Sequence, residues 1–384
     1  MFPTLSSLIN YLFNTSFSWP VPTFGFFVAL SFILSYITFL SEFKRKEKEG
    51  LIRPFTEKIT IGKGASLEEY FAYGFLGFIV GLKVCGAFLY HRDFLRDPLK
   101  FIFSGQGSWT ASIIFSILFV AWIYFQRKSE KLDKPIVKHI EVHPYELMPK
   151  LILWAAVWGF MGAKLFNFLE NVSLYEHYSF VDFLKYSGLT FLGGLVFGAI
   201  SYLYIGFNRK MKLIHLADIG SPGMLVAYGV GRIGCHLSGD GDWGVINRLQ
   251  KPFDWLPDRI WSFRFPHNVL NKGEYIAGCT EKYCFILPQG VFPTSLYESV
   301  IILSSFGLLW LYRKKMKTAG LMFSIYLLVM GVERFLIEEI RVNYKYNILG
   351  FMLSEAQIIS LFFMLGGGIG IVLLMKKQRV FGSS

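Results

Sequence analysis

The residues best suited to chemistry lie in the stretch Gly229–Gly244, which reads GVGRIGCHLSGDGDWG. It places Arg232 near the end of an apolar run and follows it closely with His236, Asp240 and Asp242. An arginine in hydrocarbon costs about 2.5–3.5 kcal/mol on insertion scales, so its presence there indicates a function. A guanidinium binds phosphate through paired, charge-assisted hydrogen bonds, and a nearby carboxylate can orient it or accept a proton.

Two other stretches supply candidate groups of the same kinds. Arg334, Glu338 and Arg341 are spaced i, i+4 and i+7, so they lie on one stripe of a helix. Tyr297 and Glu298 stand at the start of another apolar run, in the sequence FPTSLYESV. Several basic groups at one membrane depth would suit a phosphate, and the phosphate expected at that depth is a lipid headgroup.

Composition indicates which elements must position these groups. Of the 384 residues, 53% are hydrophobic and only 17% are charged, whereas ordinary soluble domains carry about 25% charged residues. Apolar runs near the ~20 residues that span hydrocarbon recur along the chain. The sequence therefore predicts an all-α polytopic membrane protein with about nine transmembrane helices. They are expected near residues 22–40, 71–90, 110–125, 150–168, 188–206, 217–237, 295–312, 319–340 and 356–375.

The net charge of +12 follows the predicted spans and does not require a nucleic-acid partner. Basic clusters come after every second span, as the positive-inside rule requires, which predicts an outside (periplasmic) N-terminus and a cytoplasmic C-terminus. The clusters lie at 44–48, 127–131, 209–212, 313–317 and 376–379. We interpret residues 1–380 as a single transmembrane domain, with 240–292 as an outer, periplasmic loop.

This topology brings the candidate groups to one level of the membrane. The basic groups in the outer halves of their spans are Lys83, Lys164, Arg232, Arg334 and Arg341. The groups beside them are Asp240, Asp242, Tyr297, Glu298 and Glu338. Two alternatives remain open: long basic side chains can simply extend to the interface, and Arg334 with Glu338 can form only an intrahelical ion pair.

Several other site types find little support. No grouping of histidine, cysteine and carboxylate has metal-site spacing, and no glycine-rich phosphate loop has strand context, so neither a metal nor another cofactor is predicted. Cys279 and Cys284 could form a disulfide, with zinc as the weaker alternative because no second pair exists. The sequence GDGD also fits the pattern of intramembrane aspartyl proteases, but Asp218 is predicted to lie across the membrane from Asp242, where it would cap its own helix.

Together the motifs resemble those of bacterial prolipoprotein diacylglyceryl transferases. Gly231–Gly244 is similar to that family's G-R-x-G-N-F-x-N-G-E-x-x-G signature, Pro293–Glu298 to H-P-S-Q-L-Y-E, and Arg334–Arg341 to R-F-x-x-E-x-x-R. Gly162–Leu165 resembles G-A-R-L, and Gly193–Gly194 resembles part of F-H-G-G. The matches keep the family's order through most of the chain.

The chain departs from the family pattern at chemically important positions. The histidine of F-H-G-G, often assigned as the base, is Leu192, and the signature asparagine and phenylalanine are Cys235 and His236. The signature glutamate corresponds to Asp240 or Asp242. Family members usually have fewer spans, and Gly81–Lys83 resembles Gly162–Lys164, so residues 71–130 are interpreted as an inserted two-span repeat. The resemblance thus implies a divergent member.

The resemblance implies an enzyme of the bacterial cytoplasmic (inner) membrane, multi-pass, with its active site facing the periplasm. It would transfer diacylglyceryl from phosphatidylglycerol to the lipobox cysteine thiol of a prolipoprotein signal peptide, forming a thioether and releasing glycerol phosphate. Arg232 is expected to hold the phosphate, with Arg334 and Lys164 as secondary contributors. Asp240 and Glu338 would position the arginines or accept the thiol proton.

Further substrate contacts are expected from Gly193, Gly194, Tyr297, Glu298 and Arg341. Because Leu192 replaces the family histidine, the base is predicted to be Asp240, Asp242 or His236. The alternative from another functional class is a non-catalytic phospholipid-binding or lipid-transport protein that keeps the headgroup site.

Overall fold

The computed structural model describes residues 1–19, 21–96, 101, 104–132, 136–170, 190–343, 345–348 and 350–381, and it is predominantly helical. The helices of the first half are α1 (Leu5–Phe13), α2 (Thr23–Lys48), α3 (Leu67–Ile79), α4 (Gly86–Leu89), α5 (His91–Arg96), α6 (Trp109–Ser129) and α7 (Met148–Glu170). Those of the second half are α8 (Phe191–Asn208), α9 (Leu213–Ser238), α10 (Asp258–Trp261), α11 (Thr294–Tyr312), α12 (Leu321–Glu338) and α13 (Glu355–Phe381). A π-helical turn (Val80–Cys85) joins α3 to α4, and a 3₁₀ turn (Pro144–Leu147) precedes α7.

Three short ribbons of two strands correct the expectation that the fold is entirely α-helical. Strands β1 (Phe55–Ile61) and β2 (Ile136–Val142) pair with each other, as do β3 (Glu274–Tyr275) with β4 (Phe285–Ile286) and β5 (Tyr346–Ile348) with β6 (Phe351–Leu353). The last two pairs are antiparallel hairpins. Strands β3 to β6 contain only two or three residues each, too few to show an alternation of apolar and polar residues. Strands β1 and β2 have seven residues each but lie in connections between the predicted spans, where the search for long apolar runs does not detect strands.

Within the described residues, seven helices are long and apolar enough to cross a membrane. They correspond to α2, α3 with α4, α6, α7 with its preceding turn, α9, α11 and α13. The other two predicted spans are also helices: Leu192–Asn208 is shorter, and α12 carries Glu333, Arg334 and Glu338. The prediction of a polytopic, mainly helical membrane protein is confirmed, whereas the count of nine spans and the orientation of the termini stay predictions.

The chain divides into two compact units. One comprises Met1–Pro3, Thr23–Phe55 and His143–Ser384, and the other comprises Thr4–Pro22 and Thr56–Val142. The second unit includes the predicted insertion 71–130, whose origin as a repeat stays a prediction, as does a single transmembrane domain over 1–380.

Helix α9 is the central element of the larger unit. Helices α2, α11 and α12 pack along it, and 67% of its most apolar window is buried, against 33% or less in the other six candidate spans. It is also the least apolar of the seven. Because protein rather than lipid surrounds α9, it can carry small and polar residues such as Gly234, where an added Cβ would lie 2.8 Å from Phe27.

Two other helix pairs form through glycines. In the larger unit α7 packs along α8, and in the smaller unit α3 packs along α6. An added Cβ on Gly77 would lie 2.9 Å from the Cα of Ser116, so the backbones approach closely there. Lys83 of the smaller unit donates to three backbone carbonyls of that unit, including those of Phe101 (3.0 Å) and Ser104 (2.5 Å).

Candidate active site

The site begins where α9 ends. Gly239 adopts the left-handed conformation (φ 65°) that terminates the helix after Ser238. Beyond it the chain turns sharply, and the backbone N–H of Asp242 donates to the carboxylate of Asp240 at 3.2 Å. The turn places the carboxylate of Asp242 against the guanidinium of Arg232 on the preceding helix, where the two form an ion pair.

Six charged side chains meet at this end of α9, and we call them the arginine cluster: Arg232, Asp242, Glu298, Arg334, Glu338 and Arg341. Glu298 lies at its centre and is fully buried. Its carboxylate oxygens lie 2.8 Å from Nε of Arg232, 3.0 Å from Nη1 of Arg341 and 3.5 Å from Nη1 of Arg334. One carboxylate thus holds three guanidinium groups close together.

Asp242 is the accessible anion of the cluster. It pairs with Arg232 and, at 2.7 Å, with Nη2 of Arg341, yet 30% of its side chain is exposed while Glu298 is fully buried. Burial favours the neutral acid, but Arg232 and Arg341 outweigh it and hold the pKa of Asp242 below its ordinary value. Two guanidinium groups therefore face an ionised carboxylate at the edge of the site.

Glu338 and Arg334 extend the cluster along α12. Their ion pair measures 3.1 Å at the predicted i, i+4 spacing, and Asn343 donates to the same carboxylate of Glu338. Arg334 also reaches Glu298 on α11, so the alternative of a purely intrahelical pair is wrong.

Backbone contacts fix the segment that carries Arg341. Gly244 forms an isolated antiparallel bridge with Arg341, and the N–H of Val245 donates to the carbonyl of Ile340 at 2.8 Å. The Thr294 hydroxyl donates to the carbonyl of Asp242 at 2.9 Å. These bonds connect the chain after α9, the start of α11 and the chain after α12.

Asp240 lies beside the cluster in a different environment. Its carboxylate contacts the thiol of Cys235, and burial raises its pKa above the ordinary value, with a contribution from the negative charge of Asp242. Ligand atoms of Cys235, Asp240 and Asp242 lie within 4.8 Å of one another. The two guanidinium groups on Asp242 would repel a metal ion bound there.

Comparison with known proteins shows to which family the chain belongs. A family model described as prolipoprotein diacylglyceryl transferase matches residues 108–374, well over half of the chain and all of the arginine cluster. This chain belongs to the prolipoprotein diacylglyceryl transferase family.

Named relatives agree with the family match. Phosphatidylglycerol–prolipoprotein diacylglyceryl transferases of Streptococcus pyogenes serotypes M5 (strain Manfredo), M49 (strain NZ131) and M1 are each 27% identical over 236 residues. The matches cover 61% of this chain and 80% of each relative. The predictions of a divergent family member and of a transferase are confirmed, and the non-catalytic alternative is not favoured.

Several residues predicted for the transferase site lie outside the arginine cluster. The Tyr297 hydroxyl donates to the carbonyl of Ile260 at 2.6 Å, so it contacts the loop 240–292. The ring of His236 packs against Phe263 and Phe265 at centroid distances of 6.1 and 5.6 Å. Lys164 takes no part in the ion pairs described above for Arg232, Arg334 and Arg341, so the arginine cluster as defined here does not contain it. Roles for these three residues in the reaction stay predictions.

Gly193 and Gly194 lie where α8 crosses α7. An added Cβ on Gly193 would lie 2.6 Å from the Cβ of Phe166, and one on Gly194 would lie 3.3 Å from the carbonyl oxygen of Gly159. The crossing explains why these positions need glycine. A substrate contact there stays a prediction, as does the consequence of having Leu192 in place of the family histidine.

The structure adds residues that the motifs did not identify. The Tyr228 ring lies 4.9 Å from the guanidinium of Arg232, a cation–π distance one helical turn away. Asn343 bonds to Glu338, and Glu333 lies buried next to Arg334 in sequence. The i−4 spacing of Tyr228 from Arg232 and the adjacency of Glu333 to Arg334 were visible in the sequence, but the bond from Asn343 to Glu338 was not.

Asp218 lies at the opposite end of α9 from the transferase site. About 30 Å separates it from Ser238 at 1.5 Å per residue, too far for a catalytic pair with Asp242. Its carboxylate accepts from the N–H groups of Gly320 and Phe323 at 2.9 and 3.0 Å. It therefore caps α12, and the expectation that it caps its own helix is wrong.

Proposed function

We propose that this chain transfers diacylglyceryl from phosphatidylglycerol to the lipobox cysteine thiol of a prolipoprotein, forming a thioether and releasing glycerol phosphate. The observation that carries the proposal is the pairing of Arg232 and Arg341 with the partly exposed carboxylate of Asp242. A carboxylate and a phosphate offer guanidinium groups similar pairs of anionic oxygens. The carboxylate of Asp242 marks the position for the lipid phosphate.

Binding of the phosphate would replace one anion by another. Arg232 and Arg341 would turn from Asp242 to the phosphate oxygens, while buried Glu298 would keep both guanidinium groups oriented. Donors held in place before the reaction stabilise the charge that develops on a leaving phosphate. Arg334, held by Glu298 and Glu338, would contribute at longer range.

Asp240 is the best-placed base for the thiol proton. A free thiol has a pKa near 8.5, so a carboxylate whose pKa is raised by burial accepts its proton more readily than an ordinary one. Asp242, once released by Arg232 and Arg341, is the nearest substitute. The chain would thereby compensate for Leu192 at the position of the family histidine.

We also propose how the chain lies in the membrane. With nine spans and basic clusters after every second one, the N-terminus is periplasmic and the C-terminus cytoplasmic. The arginine cluster and the loop 240–292 then face the periplasm of a bacterial inner membrane, where precursor signal peptides emerge. Residues 71–130 would be an addition to the catalytic helices.

The test uses membranes that contain the full chain, phosphatidylglycerol labelled in its diacylglyceryl part and a lipobox peptide. Label should move to the peptide cysteine, and Arg232→Ala should abolish this. Arg248→Ala, which removes an exposed arginine of the loop 240–292, is the matched control and should retain transfer. Binding of phosphatidylglycerol without any transfer by the unmodified chain would refute the proposed reaction.

A further inference from the structure

One buried carboxyl group of the larger unit has no role in the reaction just described. Met322 and Met330 of α12 pack with Leu225 of α9 and Ile302 of α11 in a hydrophobic core. Glu333 comes one turn later on the same stripe of α12, and it is only 1% exposed. The apolar stripe thus continues into a carboxyl group at the level of the arginine cluster.

Glu333 lacks partners although charged groups lie close by. Neither of its carboxyl oxygens forms a hydrogen bond, and no ion pair within the described residues includes it. The groups that act on it electrostatically are Glu298 of α11, Arg334 of its own helix, Arg232 of α9 and Arg341 after α12. Tyr228 of α9 also interacts with it.

The charge balance of the cluster indicates which form Glu333 takes. Three guanidinium groups are matched by the three carboxylates of Asp242, Glu298 and Glu338. Burying a charge without a partner is strongly unfavourable, and neither oxygen of Glu333 has a hydrogen-bond donor, whereas Glu298 is paired with Arg232 and Arg341. Glu333 is therefore held as the neutral acid.

We propose that Glu333 is a positioning residue of the headgroup site, and that its neutral form keeps the arginine cluster at zero net charge so that it can accept the phosphate of a phospholipid. The inference rests on the proposed function, because the phosphate site is the one described there. Ionised Glu333 would add a fourth carboxylate close to Arg232 and Arg341. Its negative charge would weaken the attraction of these two guanidinium groups for the phosphate. Glu333 acts through these arginines and does not touch the substrate.

Binding as a function of pH tests this role without requiring transfer. The probe is fluorescent phosphatidylglycerol, titrated into phosphatidylcholine nanodiscs that hold the full chain. As Glu333 ionises, the dissociation constant should rise with pH by at most about tenfold per pH unit, and it should level off at about 5–150-fold, the usual size of a coupling between two groups. In Glu333→Gln, which cannot ionise, this rise should disappear, whereas Glu339→Gln should keep it because Glu339 is exposed and pairs with Lys345.

Infrared spectroscopy supplies a second readout. The spectrum of the unmodified chain at neutral pH should contain the carbonyl stretch of a protonated carboxylic acid that Glu333→Gln removes and Glu339→Gln keeps. An unchanged pH profile in Glu333→Gln, or the absence of that stretch from the difference spectrum, overturns the inference. If the pH profile and the stretch behave as expected but no label reaches the lipobox peptide, the proposed reaction fails while the role of Glu333 stands.

Discussion

The two ends of α9 carry charged clusters of similar composition and different construction. At the end that begins with Leu213, Asp218 pairs with Lys46 at 2.7 Å, and both side chains are at most 2% exposed. Nearby, Glu42 pairs with Arg45 at 2.6 Å and with Arg313 at 3.0 Å. We call these five residues the Asp218 cluster. At the other end, the side chains of Asp242, Arg334 and Arg232 in the arginine cluster are 30%, 26% and 16% exposed.

The hydrogen bonds to the carboxylate oxygens also differ between the two clusters, although Nε of Arg313 in the Asp218 cluster likewise lacks an aligned bond. Both oxygens of Asp218 have donors, because Lys46 and the N–H of Gly320 share one while the N–H of Phe323 donates to the other. In the arginine cluster, one oxygen of Glu298 and one of Glu338 lie at ion-pair distance from a guanidinium without an aligned hydrogen bond.

Ion pairs alone therefore do not identify a functional site. A buried carboxylate whose acceptors are all used by the fold joins helices, and α2, α9 and α12 meet at Asp218 for that reason. A cluster with accessible guanidinium groups and incompletely bonded carboxylates can exchange one anion for another. The first should respond to mutation in stability, and the second in transfer.

The largest effect is expected at the Asp218 cluster. Asp218→Ala leaves the buried ammonium of Lys46 without a partner and removes the cap of α12, so the free energy of unfolding should fall by about 3–5 kcal/mol. Denaturation in detergent micelles measures this loss. The double variant Lys46→Met/Asp218→Ala removes both charges and should recover part of the stability. A stable Asp218→Ala that loses transfer would reverse the roles assigned to the two clusters.

The next effect concerns Arg341. Arg341→Gln removes one of the two donors to the phosphate position, so transfer should fall by about 10²–10³-fold. Glu298 keeps Arg232 and Arg334 in this variant, so the melting temperature should change little. Both quantities are measured on the same preparation. A large drop in melting temperature with proportionate loss of transfer would instead make Arg341 a structural residue like Lys46.

Asp240 should behave in the opposite way to Asp218. Because its pKa is raised in the folded chain, its ionised form opposes folding at pH values above that pKa. Asp240→Asn should therefore raise the melting temperature near neutral pH, while transfer falls by about 10²-fold through loss of the base.

The pH dependence of transfer provides the check on Asp240. A base must be ionised, so the rate should fall as the pH falls through the raised pKa of Asp240, and Asp240→Asn should lack this limb. Asp242 titrates lower, because its pKa is lowered. An acid limb that persists in Asp240→Asn and disappears in Asp242→Asn would transfer the assignment to Asp242.

Hydropathy and charge spacing predicted much of this arrangement. Every predicted span coincides with a described helix, and the i, i+4 spacing of Arg334 and Glu338 is that of neighbours on α12. The prediction that Arg341 lies on the same helical stripe is wrong, because α12 ends at Glu338 and Arg341 forms a β-bridge with Gly244. The positive-inside pattern then grouped these residues with Arg232 and Glu298, which the ion pairs join. These predictions succeed because helix periodicity and the cost of burying a charge can both be judged from a short stretch of sequence.

Partners across helices could not be predicted in the same way. The acceptors of Gly320 and Phe323 lie on α9, far away in sequence, so the capping role of Asp218 required the packing of α9 against α12. The absence of partners for Glu333 also becomes visible only when every neighbouring helix is in place. The resemblance of Pro293–Glu298 to a family motif likewise did not predict that the hydroxyl of Tyr297 donates to the carbonyl of Ile260.

The smallest effect is expected at Tyr297, which connects the helix of Glu298 to the loop 240–292. Tyr297→Phe removes one hydrogen bond to the carbonyl of Ile260, worth about 0.5–1.5 kcal/mol. Amide exchange should become faster around α10, while the affinity for phosphatidylglycerol should stay unchanged because the arginine cluster keeps all of its ion pairs. Ser305→Ala removes a hydroxyl that bonds within α11 and is the control for exchange. Weaker lipid binding with unchanged exchange would make Tyr297 a substrate contact and extend the functional end of α9 toward the loop.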